Sequence, residues 1–153
     1  MKIVYMHHAD RDVRDGFNQE NPITENGVKE AEILGEMWKG TSVKAIYLGD
    51  YIRYEQTAQI INKGIEAPMI KDSRLNEHKG KLESFETFEQ RTHDFIKEVI
   101  EKHNNDDIVF CVTSGANLSK FISFFIKGEN IEGFKFIQAV GICPIMFHYD
   151  KNK

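Results

Sequence analysis

The chain has 153 residues, 41% of them hydrophobic and 29% charged, which is enough apolar material for one core, and a single domain spanning 1–153 is expected. Its formal charge of −4, with acidic and basic residues interleaved, offers no basic stripe to a nucleic-acid backbone and no polybasic patch to a membrane. The opening MKIVYMHH is too short for a secretory signal and no run approaches the roughly 18 apolar residues of a membrane span, so a cytoplasmic protein without nucleic-acid or membrane partners is expected.

Taken in chain order, KIVYMH (2–7) reads as a strand buried on both faces, because its apolar residues are nearly continuous. TENGVKEAEILGEMWKG follows as a helix capped by Thr24, with Val28, Ala31, Leu34 and Trp38 on one face. VKAIYLG (43–49) is a second buried strand, and the segment after it starts a helix with Arg53 in its first turn. From Phe85 to His103 a long helix places Phe85, Phe88, Thr92, Phe95, Ile96, Val99 and Ile100 at helical spacing, and Asn104 and Asn105 stop it. DIVFCVT (107–113) is a third strand. LSKFISFFIKG (118–128) is apolar nearly all round and ends on Gly128 as a helix buried against a sheet, with a glycine C-cap. ICPIMFHY (142–149) is a last strand, near an edge because Pro144 cannot donate to a ladder. This alternation predicts a three-layer α/β/α sandwich around a mostly parallel sheet, and such sheets bind ligands at the carboxyl ends of their strands.

Four segments bring polar residues to those ends: MHHAD (6–10), GDYIRYEQTA (49–58), SRLNEHKG (73–80) and TSGAN (113–117). Each has a bland reading. A histidine at a strand end is ordinarily a hydrogen-bonding structural residue, Glu77 an exposed loop carboxylate, and Ser114 or Asn117 a helix cap. Arg53 is the least ordinary, since a cation in a first helical turn opposes the helix dipole and calls for an anion nearby. The N–H groups of TSGAN, at a strand-to-helix turn, are suited to an anion. Other chemistries are excluded. No GxxxxGK[ST] or GxGxxG follows the first strand, so nucleotide and redox cofactor loops are absent. Asn117 stands six residues after Cys111, where a cysteine phosphatase loop has an arginine, and no Cys/His spacing suits zinc. Cys111 and Cys143 lie in strand-like runs and are expected to stay reduced.

Together, MHHAD, NPITENGVKEA (21–31), GDYIRYEQTA, RLNEHKG and TSGAN resemble, in order and spacing, the signature of the histidine phosphatase superfamily, the phosphoglycerate mutase-like proteins. The resemblance implies that fold and a catalytic pair, His8 as the nucleophile that becomes phosphohistidine and Glu77 as the proton donor. It implies phosphate binding by Arg53, by His7 at the position of the family's first arginine, and by Ser114 and Gly115, with Ser114 at the position of its last histidine. It implies no metal or organic cofactor, a small uncapped pocket, and a phosphomonoester or phosphoprotein as substrate. Three positions depart from the signature: His7 replaces arginine, Ala9 glycine and Ser114 histidine. Imidazole does not reproduce the planar fork of a guanidinium, and two lost donors at ~10²- to 10³-fold each remove on the order of 10⁴- to 10⁶-fold in rate. Two functions fit: a weak or specialised phosphatase in which protonated His7 adds to the charge of Arg53, or an inactive pseudophosphatase that binds a phosphorylated ligand or partner.

Overall fold

The computed structural model describes residues 1–125 and 142–152. Strand β1 (Lys2–His7) sends Ile3 and Tyr5 to one side of the sheet and Val4 and Met6 to the other, all of them buried. It pairs in parallel with β4 (Ile108–Thr113), which pairs in parallel with β2 (Ala45–Leu48), and β2 pairs with β3 (Met69–Lys71). The antiparallel strand β5 (Pro144–His148) closes the other edge beside β1, giving the order β3-β2-β4-β1-β5. Pro144 therefore sits on an edge strand, as its missing N–H requires.

Helices cover both faces. On one side, α1 (Glu25–Met37) and α2 (Ile52–Asn62) pack Ala31, Leu34, Tyr54, Ala58 and Ile61 against Val4, Met6, Ile46, Leu48 and Phe110. On the other, α3 (Phe85–Lys102) and α4 (Gly115–Phe125) pack Phe95, Ile96, Val99, Leu118 and Phe121 against Tyr5, Tyr47 and Cys111. The molecule is thus an α/β fold with a mixed five-stranded sheet, parallel except at one edge.

Local chemistry sets the helix starts. Thr24 Oγ1 accepts from the Gly27 N–H at 3.0 Å, and Ser84 Oγ accepts from the Thr87 N–H at 3.1 Å. Three differences from the sequence reading stand out. Strand β3 is too short, at three residues, to show a period; α4 begins at Gly115, three residues before Leu118; and Phe85 lies 46% exposed, stacked on His78 instead of entering the core. The C-cap expected at Gly128 lies outside the described residues. Among the described residues no helix is long and apolar enough to cross a membrane.

Candidate functional site

The parallel strands deliver the predicted segments to one end of the sheet. His7 closes β1 opposite Thr113 at the end of β4, and the His8 N–H donates to the Thr113 carbonyl at 3.0 Å. His8 is 4% exposed, and its Nδ1 lies 2.7 Å from the Ala9 carbonyl oxygen. A carbonyl only accepts, so Nδ1 carries the hydrogen and Nε2 keeps its lone pair. Burial, reinforced by His7 and by the cations Arg53 and Arg11, pulls the His8 pKa down to about 2. His8 is therefore a neutral imidazole with a fixed tautomer.

The turn after β2 leads into α2 and places Arg53 in its first turn, as predicted. Its side chain is completely buried. The guanidinium carbon lies 4.7 Å from the Tyr51 ring centroid and 4.8 Å from that of Tyr54. One terminal nitrogen donates to the Asn18 carbonyl at 3.3 Å, and the other lies 3.1 Å from Glu77 Oε2. Among the described residues Nε has no partner. A buried guanidinium is costly without a counter-charge, so the anion inferred for this turn is present, at least in part, as Glu77. One turn along, Thr57 ties the segment after His8 to Arg53: its hydroxyl accepts from the Ala9 N–H at 3.0 Å and donates to the Arg53 carbonyl at 2.6 Å.

Glu77 lies on the loop after β3, with its side chain about one-third exposed. Arg91 on α3 fastens that loop by donating to the carbonyls of Arg74, Asn76 and Glu77 while pairing with Glu83. Asn76 locks it to the β2 turn, its side chain bonded to the Asp50 N–H and carboxylate, each at 2.7 Å. Beside the pair a groove of about 420 Å³ opens between Gln19, Tyr51, Glu55, Lys71 and Lys79.

At the end of β4, Ser114 is buried and Gly115 begins α4. The Ser114 hydroxyl donates to Asn117 Oδ1 at 2.8 Å, so its proton serves the helix start and not the cavity. The His7 ring is tilted against that of His8 with centroids 4.1 Å apart. Burial, with Arg11 and Arg53 adding to it, lowers the His7 pKa from its ordinary value. The imidazole stands at the predicted place, and its surroundings oppose the protonated form in which it would add to the charge of Arg53.

The structure thus gathers His7, His8, Arg53 and Glu77, with Ser114 and Gly115 on the adjoining strand end. Among the described residues no group of three or more His, Cys, Asp or Glu is placed to hold a metal ion. A sequence model of the histidine phosphatase superfamily (branch 1) matches residues 8–83, from His8 through Arg53 and Glu77. The chain belongs to the histidine phosphatase superfamily.

Solved structures agree on the fold. The chain superposes on the alpha-ribazole phosphatase from Shigella flexneri with a TM-score of 0.82 and 19% identity, covering 99% of this chain and 92% of that one. YhfR of Bacillus stearothermophilus gives 0.81 and 19% over 98% and 92%, and the protein histidine phosphatase SixA complexed with tungstate gives 0.72 and 14% over 94% and 86%. No curated protein matches the chain in sequence. Four contributors to this histidine phosphatase-like site escaped the sequence reading: Arg11, Asn18, Thr57 and Arg91. Only Arg11 carried a local signal, a cation three residues beyond His8.

Proposed function

We propose that this chain is a slow or specialised phosphomonoesterase that works through a phosphohistidine on His8. The observation that supports it most is the state of His8: neutral, buried, with Nδ1–H on the Ala9 carbonyl and Nε2 without a partner among the described residues, beside a buried Arg53. Nε2 attacks phosphorus while the bond from phosphorus to the ester oxygen breaks, and the leaving oxygen takes a proton from the Glu77 carboxyl. Water then attacks phosphorus, the P–N bond breaks, Glu77 accepts the water proton, and orthophosphate leaves with His8 restored. Such transfer depends on cations around the equatorial oxygens, and Arg53 provides one with its orientation already fixed. His7 offers only an imidazole where the family has a guanidinium, and the Ser114 proton is committed to Asn117, which is why the reaction is slow. The substrate is a phosphorylated small molecule or a phosphorylated protein side chain.

A second reading, phosphate binding without turnover, is favoured by the neutral His7 and by Ser114, whose proton is committed to Asn117. Phosphate release from a generic phosphomonoester by the natural protein and by His8→Ala separates the two. Release that His8→Ala abolishes supports the enzyme; saturable orthophosphate binding without release supports the binding protein.

A further inference from the structure

The pocket has lost the arginine of its first strand, and the imidazole in that place carries no charge, yet the loop after β1 brings in another guanidinium. This loop is closely held. The Ala9 N–H bonds to Thr57, the Thr24 N–H and hydroxyl donate to the Asp10 carbonyl and carboxylate, each at 2.8 Å, and the Asp12 N–H donates to the Pro22 carbonyl at 2.8 Å. Arg11 pairs with Ile23 in an isolated antiparallel bridge, and the Ile23 N–H donates at 2.9 Å to Gln56 of α2, the helix of Arg53. Farther along, the Arg53 guanidinium reaches the Asn18 carbonyl, and the ring of the neighbouring Phe17 carries the Arg11 guanidinium 4.7 Å from its centroid. The backbone near Arg11 is thus fixed relative to Arg53, and the ring beneath its head group belongs to the residue next to the Asn18 carbonyl that Arg53 holds.

The nearby carboxylates are engaged elsewhere. Asp12 is paired with Arg14, Asp10 is bonded to Thr24, and Glu77 is paired with Arg53. Among the described residues Arg11 makes no ion pair. It is close enough to act on His7 and His8 and to be acted on by Arg53 and Glu77, and the Arg53 charge together with partial burial makes its own cationic form harder to hold. The two guanidinium groups thus meet adjacent residues of one loop, Arg11 the Phe17 ring and Arg53 the Asn18 carbonyl, and Glu77 pairs with Arg53 alone.

We infer that Arg11, held on Phe17, is the second guanidinium of the phosphate pocket, standing in for the arginine missing at position 7. This rests on the phosphate-pocket reading and deepens it. The charge count fits: with Glu77 carrying the proton it gives to the leaving oxygen, Arg11 and Arg53 together balance a phosphomonoester dianion. Arg11 also offers the planar fork that the His7 imidazole cannot.

Titration of inorganic phosphate into the natural protein, Arg11→Gln, Arg11→Lys, Arg14→Gln and His7→Arg/Arg11→Gln tests this, with thermal melts to show that each variant is folded. Arg11→Gln is expected to weaken binding by about ten- to a hundred-fold, the loss of charge-assisted hydrogen bonds. Arg11→Lys should fall between, Arg14→Gln should bind as the natural protein does, and a guanidinium returned at position 7 should restore affinity. Unchanged binding in folded Arg11→Gln, or a folded double variant that stays weak, overturns the assignment while leaving the pocket intact. A natural protein that does not bind phosphate at all overturns the phosphate-pocket reading, and the role of Arg11 with it.

Discussion

The fully buried guanidinium of Arg53 lies 3.1 Å from the partly exposed carboxylate of Glu77, so one ion pair joins the phosphate-binding cation and the proton donor of the proposed reaction. An incoming phosphate dianion competes with Glu77 for that guanidinium. Glu77→Gln removes the competitor together with the proton donor. Orthophosphate should then bind about ten-fold more tightly while turnover collapses, which calorimetric titration and phosphate release measure separately. The stability cost should be about 1–3 kcal/mol, because a fully buried guanidinium loses its counter-charge while the Gln carbonyl still accepts one hydrogen bond. Weaker phosphate binding in this variant would show that Glu77 does not oppose the ligand.

His8 links the site to acid stability. Its pKa is about 2 in the folded protein and about 6.5 in the unfolded chain, so below pH 6.5 the unfolded state binds the extra proton. Stability is therefore full above pH 6.5 and falls by up to about 1.4 kcal/mol per pH unit on acidification. His8→Asn should flatten this decline in urea melts between pH 7 and pH 4. A slope equal to that of the natural protein would place the acid sensitivity elsewhere.

Gly27 is where the start of α1 meets the backbone that follows His8, the proposed nucleophile. A Cβ there would come within 2.5 Å of the Asp10 carbonyl oxygen and 3.2 Å of the Ala9 Cβ. Gly27→Ala should cost about 1–3 kcal/mol through overpacking and also weaken phosphate binding, because the segment that must move carries His8 and Arg11. Loss of stability with full affinity would mean that the loop and the site are independent.

This glycine also shows how much the sequence disclosed. Thr24, Gly27 and the apolar face of α1 lie in one continuous stretch, so the cap and the helix were legible, as were the two core-facing strands that end at His7 and Thr113. Their legibility comes from local period and cap chemistry. Strand β3 has no period to read in three residues. The placement of Arg53 was signalled by its conflict with the helix dipole, and the structure answers with Glu77, 24 positions away. The state of His7 was not legible, because its lowered pKa comes first from burial and then from cations that include Arg53, and only the fold shows that burial and brings Arg53 near. Arg11 was hidden for a similar reason: only the folding of the loop sets it on Phe17 and near α2.

The most direct measurement is a single-turnover experiment with a radiolabelled phosphomonoester on the natural protein and His8→Ala, following both label on the protein and orthophosphate released. Label that accumulates and decays in the natural protein and never forms in His8→Ala is the predicted result. Orthophosphate released at the same rate by His8→Ala would contradict the central claim that the lone pair of His8 Nε2 attacks phosphorus.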